Sequence, residues 1–221
     1  MFYFGYIAWE YPTNRLLQRF PIGKYSAACI IAWGTVLCCF AAVENFAGAV
    51  AVRFMLGVCE AAVTPGFALI TSQWYTKREQ GLRVGIWFSF NGWAQIFGGL
   101  VAYAIATGVK KHPAAIAGWK IVFLLTGLLT VTVGIIFLFT VPDNQLNARW
   151  LKKEDRVLAL ERIRINQQGV GNKHFKMYQL REALLDPLTW AFFFYALVAD
   201  IPNGGKYRLG KDRFLAKKLT F

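Results

Sequence analysis

The sequence predicts an all-α protein that crosses a membrane several times. Of its 221 residues, 56% are hydrophobic and only 17% are charged, which is unlike an ordinary soluble domain. Three uncharged runs, residues 25–43, 84–109 and 121–141, are each long enough to cross a hydrocarbon core of about 30 Å as a helix. A fourth run, residues 46–75, is equally apolar but contains charged residues; it is called the charged helix below.

The chain begins with residues 1–17, an apolar helix that is too short to span comfortably before its first charge. Glu10 and Arg15 interrupt it, so we count it as an incomplete span. Two interpretations of Glu10 stay open: it faces the interior of the bundle, or it reaches toward the membrane interface. A basic turn, residues 18–24, then leads into the first uncharged span.

The charged helix places Arg53 and Glu60 at membrane depth. A charge near the bilayer centre costs roughly 2.5–3.5 kcal/mol, so such residues normally face a protein interior or a watery cavity. Seven residues are about two helical turns, which puts both groups on nearly one face, about 10 Å apart along the axis. Gly57 leaves room between them for a backbone or a solute, and Pro65 with Gly66 predicts a kink beside Glu60.

Two interpretations of these charges remain. They belong to a polar pathway through the membrane, or they form a structural ion pair or two separate contacts between helices. Intramembrane charge is a functional hypothesis by default, which favours the pathway.

The span 84–109 contains a second polar feature, the pair Asn91 and Gln95. Residues four apart share a helix face, so the pair predicts either hydrogen bonds between helices, which is the commoner case, or the lining of a cavity. Three glycines in the same span allow close helix approach: Gly92, Gly98 and Gly99.

The chain divides by composition into four parts. Residues 1–141 form a transmembrane half-bundle, and 142–186 form a polar loop with an amphipathic helix predicted at 148–165, whose apolar face carries Val157, Leu160 and Ile163. Residues 187–205 begin another span. Residues 206–221 form a basic tail without a spanning pattern.

Loop charges orient the bundle. Fifteen Lys and Arg residues fall in loops on one side of the predicted spans and three on the other, so the first side is cytoplasmic by the positive-inside rule. The aromatic residues lie mostly in or beside the spans, which argues against nucleic-acid binding. The cysteines and histidines have no metal-ligand spacing, so we expect no metal and no cofactor. The spans lack the convergent His, Asp or Ser groups that an enzyme needs.

Several stretches together resemble the second to seventh of the twelve helices of a major facilitator superfamily transporter. They read FYFGYIAWEYPTNRLLQRFPIGK, RFMLGVCEAAVTPGF, WYTKREQGLRVGIWFSFNGWAQIFGG, WKIVFLLTG and LDPLTWAFFFYALVADIPNGG. More narrowly, these stretches resemble the fungal allantoate permease branch, the anion:cation symporters. The resemblance implies a partial major facilitator fold, with the first family helix missing ahead of Met1.

The resemblance also implies roles for individual residues. Arg53 matches the membrane-embedded arginine of the family's fourth helix, which is linked to proton coupling. Glu60 becomes the proton-carrier candidate, because removal from water favours the neutral, protonated form of a carboxyl group over the carboxylate. Asn91 and Gln95 would orient the solute, and Glu10 joins the candidate pathway.

The basic turn resembles the family's gating loop, where charge contacts stabilise the two conformations. Its residues here are Gln18, Arg19 and Lys24, and Gln18 replaces an aspartate found in many members. That contact is therefore weakened or replaced. The fifth helix lacks the Gly-Pro pair of the antiporter motif, which favours symport over drug efflux.

The implied function is proton-coupled uptake of a small organic anion, such as allantoate, ureidosuccinate or a vitamin carboxylate, at the plasma membrane. The implied partners are the lipid bilayer, protons and a complementary transporter half. The alternative is a half-bundle that does not transport but binds or regulates a full-length transporter. Because Gly-Lys-Tyr-Arg can be encoded by codons containing a splice-donor pattern, we further hypothesise that residues 206–221 are translated intron.

Overall fold

The computed structural model describes residues 1–111, 116–166 and 176–199. These residues form nine α-helices, two short 3-10 helices and no strand. The helices are α1 (Phe2–Arg19), α2 (Ile22–Cys39), α3 (Phe46–Glu60), α4 (Val63–Trp74), α5 (Lys77–Lys111), α6 (Gly118–Thr140), α7 (Lys153–Arg164), α8 (Met177–Leu185) and α9 (Pro187–Ala199). The chain divides into two units, Met1–Lys173 and His174–Phe221. The tail 206–221 lies outside the described residues, so its hypothesis stays a prediction.

The four predicted spans are confirmed. Four helical segments are long and apolar enough to cross a membrane: Ile22–Ala42, Phe46–Trp74, Lys77–Val109 and Gly118–Thr140. The charged helix is interrupted once, because α3 ends at Glu60 and α4 begins at Val63. The break lies just before Pro65, which cannot supply the N–H of a continuous ladder.

Helix α5 begins earlier than its apolar run, at Lys77 instead of residue 84. The sequence predicts a loop over this basic stretch, but the structure continues the helix through it. The reason is local: the amide of Thr76 donates to the Glu79 carboxylate at 3.2 Å, which satisfies a free N–H at the helix start. With 35 residues, α5 is about 50 Å long, so its charged first turns lie outside a hydrocarbon core of about 30 Å.

Glycines set the main helix contacts of the first unit. Helix α2 packs along α6, where Gly34 approaches Gly127 so closely that a Cβ on Gly34 would stand 2.9 Å from the Gly127 carbonyl oxygen. Helix α1 packs on α3 in the same way. A Cβ on Gly57 would stand 2.9 Å from the amide nitrogen of Tyr6, so only glycine lets the two backbones meet there.

The amphipathic helix is shorter than predicted. It spans Lys153–Arg164 instead of 148–165, because residues 148–152 form a non-helical turn that follows a 3-10 turn at Gln145–Asn147. Arg156 closes that turn by donating to the carbonyls of Leu146 and Leu151. Of the predicted apolar face, Ile163 is buried and Leu160 half-buried, whereas Val157 is 62% exposed.

Helix α7 is attached to the junction between α4 and α5. The buried side chain of Asn166 donates to the Tyr75 carbonyl at 3.0 Å and accepts from the Lys77 amide at 3.1 Å. Arg162 also forms an ion pair with Glu79.

The second unit contains α8 and α9, which meet at an angle of 69°. Asp186 lies between them and accepts from the Leu188 amide at 3.0 Å and from the Thr189 hydroxyl at 3.2 Å. An aspartate in this position caps the new helix and explains why the chain turns before Pro187.

Candidate functional site

Glu60 lies at the middle of a membrane-spanning segment and at a break in its helix. It is the last residue of α3, in a span of 29 residues that runs from Phe46 to Trp74. Its side chain is half-buried. No salt bridge to Glu60 occurs among the described residues. A carboxyl group in that position is costly unless polar groups or water reach it.

Polar groups from two neighbouring helices surround this position. The hydroxyl of Tyr6 on α1 lies within interaction range of the Thr64 side chain on α4 and of the Glu10 and Glu60 carboxyl groups. Tyr6 and Glu60 are half-buried, whereas Glu10 and Thr64 are exposed. These four residues, Tyr6, Glu10, Glu60 and Thr64, are called the Glu60 cluster below.

Arg53 lies apart from this cluster. Its side chain is exposed, and its guanidinium carbon stands 5.5 Å from the ring centre of Phe40. Arg53 and Glu60 form no ion pair with each other, so the structural ion pair that the sequence left open is not present. A guanidinium over an aromatic ring keeps its N–H groups free to bind an anion from the side.

The structure does not bring the polar pair of α5 to either charge. Asn91 and Gln95 are exposed, and no hydrogen bond joins them to another described residue. Nothing among the described residues lies within 4 Å of a Cβ built on Gly92, Gly98 or Gly99. This face of α5 has no neighbour in the described structure, so the predicted roles of all five residues remain predictions.

Gly66, in contrast, packs against α2. A Cβ on Gly66 would stand 2.7 Å from the Ser26 hydroxyl oxygen, so the glycine allows α4 and α2 to approach one another. Pro65 beside it is half-buried and follows the α3–α4 break. The two residues thus position the second half of the charged helix directly after Glu60.

The predicted gating loop has an acidic partner that sequence reasoning missed. The amide of Lys24 donates to the Asp143 carboxylate at 3.1 Å, and the Lys24 ammonium lies 3.8 Å from the other carboxylate oxygen. Gln18 accepts a hydrogen bond from Arg15 at 3.2 Å, and Arg19 ends α1. Asp143 is 119 residues from Lys24, and no local pattern connects them.

Two further residues of the site, Tyr6 and Thr64, were also missed. Tyr6 and Thr64 fall inside apolar runs where single hydroxyl groups carry no signal of their own. Among the described residues, no group of three His, Cys, Asp or Glu side chains is placed to hold a metal ion.

Known proteins resemble nearly the whole chain. The sequence pattern of the Major Facilitator Superfamily matches residues 1–204. An uncharacterised transporter of Schizosaccharomyces pombe is 45% identical over 204 residues, 92% of this chain and 39% of its own length. The allantoate permease of Saccharomyces cerevisiae is 40% identical over 209 residues (92% and 38%). A thiamine pathway transporter of the same yeast is 37% identical over 201 residues (90% and 38%). The chain thus spans about two fifths of the length of these curated relatives.

Proposed function

Since the chain belongs to the major facilitator superfamily, we propose that it supplies part of the solute and proton pathway of a transporter that takes up small organic anions with protons. Family membership and the four apolar spans make it an integral, multi-pass membrane protein. Uptake by a permease would place it in the plasma membrane. The allantoate permease among its relatives supports a carboxylate as the solute.

The observation that carries this proposal is the Glu60 cluster. Glu60 is a half-buried carboxyl group at the centre of a broken span, with Tyr6 and Thr64 within interaction range of one another beside it. In this proposal, these residues and Glu10 form a polar path between Glu60 and the surface. The free energy of placing a neutral carboxyl group at this depth is much lower than that of placing a carboxylate. A proton that arrives along the path therefore removes most of this unfavourable free energy. Glu60 thereby acts as the proton carrier, and Glu10 extends the path toward the surface.

Arg53 binds the anion in this proposal. Its guanidinium is exposed on the same helix, about two turns from Glu60, and can form two parallel hydrogen bonds with a carboxylate. Asn91 and Gln95 would orient the rest of the solute when α5 is covered. Because Arg53 is not neutralised by Glu60, its charge remains available to the solute.

A chimera tests the proposal. Residues 1–204 replace the matching segment of the S. cerevisiae allantoate permease, and uptake of labelled allantoate is measured at pH 5 and pH 7 in a strain lacking its own permease. We expect Arg53→Ala to weaken uptake by about 10- to 100-fold, since a hydrogen bond to a charged group contributes about 1.5–3 kcal/mol. We expect Glu60→Gln to abolish the stimulation of uptake by acid.

Matched controls use charged residues outside the pathway. Glu44→Gln and Arg164→Ala remove the same charges at exposed positions, and both should transport like the unmodified chimera. Uptake that survives both Arg53→Ala and Glu60→Gln, with its pH dependence intact, would eliminate the assignment. A chimera that carries another anion in place of allantoate would preserve the mechanism and correct only the solute.

A second candidate function is that of a half-bundle that binds a complementary transporter half without transporting. The observation in its favour is α5, where none of the described side chains between Lys77 and Val109 is buried. Exposed apolar side chains along such a helix need lipid or protein cover. Co-purification of the chain with a tagged full-length relative, without any gain in uptake, would favour this second function.

A further inference from the structure

A cavity of about 640 Å³ lies where α6 leaves the predicted span. The last residues of α6, including Leu138 and Phe139, form one side of it. Lys24 at the start of α2 and Arg149 and Arg156 from the segment after α6 contribute to the rest. None of these residues belongs to the Glu60 cluster, although Lys24 is also part of the predicted gating loop.

The lining of the cavity is net cationic. Three basic side chains, Lys24, Arg149 and Arg156, face a single acidic one, Asp143, which leaves an excess of two positive charges. Asp143 is already occupied, because it accepts from the Lys24 amide and lies 3.8 Å from the Lys24 ammonium. The lysine side chain nevertheless remains 69% exposed, so its ammonium can still bind a second anion.

The two arginines differ in how they are positioned. Arg156 donates to the carbonyls of Leu151 and Leu146 at 3.1 and 2.9 Å, which orients its guanidinium and leaves its remaining N–H groups for a ligand. Arg149 is exposed and forms no salt bridge with any described residue. One oriented and one adaptable guanidinium beside an ammonium form a suitable site for a phosphate group.

The other side of the cavity is apolar and lies at the membrane boundary. Phe139 is 76% exposed in the last turn of α6, and Leu138 precedes it. Trp150 lines the cavity as well and stacks on Trp74 with ring centres 5.5 Å apart. Tryptophans are enriched at membrane–water interfaces, so this part of the chain is suited to the headgroup region of a bilayer.

From this arrangement we propose that the cavity binds the phosphate of an anionic phospholipid. Lys24, Arg149 and Arg156 hold the phosphate, and the acyl chains run along the exposed end of α6 past Phe139. The loop charges assign this side of the bundle to the cytoplasm, where anionic lipids are concentrated. A free phosphate compound would satisfy the cations but would leave the apolar side unused. The site does not depend on the transport proposal.

Lipid binding to the purified chain tests the proposal. The full chain in a neutral detergent is incubated with phosphatidylserine or phosphatidylcholine, and retained lipid is counted by native mass spectrometry while the melting temperature is recorded. We expect phosphatidylserine to be retained and to raise the melting temperature, and phosphatidylcholine to do neither. Inorganic phosphate and glycerol 3-phosphate form separate arms, and we expect each to bind more weakly than the lipid.

Two double variants distinguish a built site from general basicity. Lys24→Gln with Arg149→Gln removes two cations of the cavity, and we expect phosphatidylserine affinity to fall by about tenfold or more. Lys152→Gln with Lys153→Gln removes two exposed cations outside the cavity lining and should retain wild-type binding. The single variant Arg149→Gln, which alters no described salt bridge, repeats the test if the double variant is unstable.

Three results would overturn the proposal. The first is equal loss of binding in both double variants, which indicates attraction to charge alone. The second is binding of inorganic phosphate or glycerol 3-phosphate as tightly as phosphatidylserine, which indicates a free-anion site. The third is no preference for phosphatidylserine over phosphatidylcholine.

Discussion

Single residues of the charged helix carry its two main properties, close packing and charge. Gly57 is buried against α1, and Glu60 follows it by three residues on the neighbouring part of the helix. Because α1 approaches at Gly57, it brings Tyr6 beside the polar groups at the end of α3. Because Gly57 has no side chain, α1 can approach closely enough to place Tyr6 near Glu60.

Substitution of Gly57 tests this dependence. Gly57→Ala would place a methyl group against the α1 backbone at Phe2 and Tyr6, so the helices must separate. Overpacking of this kind costs typically about 1–3 kcal/mol, and we expect a lower melting temperature of the purified chain in detergent.

Gly85→Ala on α5 is the matched control. No described atom lies within 4 Å of a Cβ at Gly85, and alanine favours helix over glycine by about 1 kcal/mol. The control should leave the melting temperature unchanged or slightly raised. Equal destabilisation by both variants would contradict the proposed role of Gly57.

Among the elements, α7 is distinctive because polar side chains, more than an apolar face, attach it to the bundle. Asn166 bonds to both sides of the turn between α4 and α5, and Arg162 reaches Glu79 in the first turn of α5. Each of these contacts depends on a single residue at or after the end of α7, so they place no requirement on the other residues of the helix. They also connect the polar loop mechanically to the start of α5.

Loss of Asn166 should loosen the start of α5. In Asn166→Ala the Lys77 amide loses its acceptor, and the Tyr75 carbonyl keeps only the hydrogen bond from the Gln80 side-chain amide. Loss of a typical hydrogen bond costs about 0.5–1.5 kcal/mol. We expect faster hydrogen exchange around Lys77, measured by mass spectrometry in detergent. Asn147→Ala, at an exposed position, is the control and should exchange like the unmodified chain. Unchanged protection in Asn166→Ala would show that α7 is held by other contacts.

At the scale of the whole molecule, the long exposed side of α5 is the main unsatisfied feature. The chain spans 38–39% of the length of relatives such as the allantoate permease of S. cerevisiae. Superfamily transporters bind their solute between two halves near the membrane midplane. We therefore expect the exposed residues of α5, Asn91 and Gln95 among them, to meet a complementary half.

Split expression tests this expectation. In one strain, residues 1–204 are co-expressed with the part of the yeast allantoate permease that follows the matched segment. In a second strain, the part of the permease that precedes the matched segment is expressed as well. We expect restored allantoate uptake and co-purification when both flanking parts are present. Replacing Gly92 and Gly98 by leucine should reduce this assembly, whereas Gly81→Leu in the charged first turns should not. Assembly that is insensitive to Gly92 and Gly98 would place the interface elsewhere.

The helical class, the four spans, the break near Pro65 and the family could all be predicted from the sequence, because each depends on local composition or on runs of neighbouring residues. Which polar groups meet could be read only from the folded structure. Arg53 and Glu60 share a helix yet do not pair, while Lys24 bonds to Asp143 from 119 residues away. Contact between helices depends on which faces meet, and an apolar run gives no information about its partner. For the same reason Gly34 is packed against α6, whereas Gly98 has no described neighbour, although both are glycines in apolar runs.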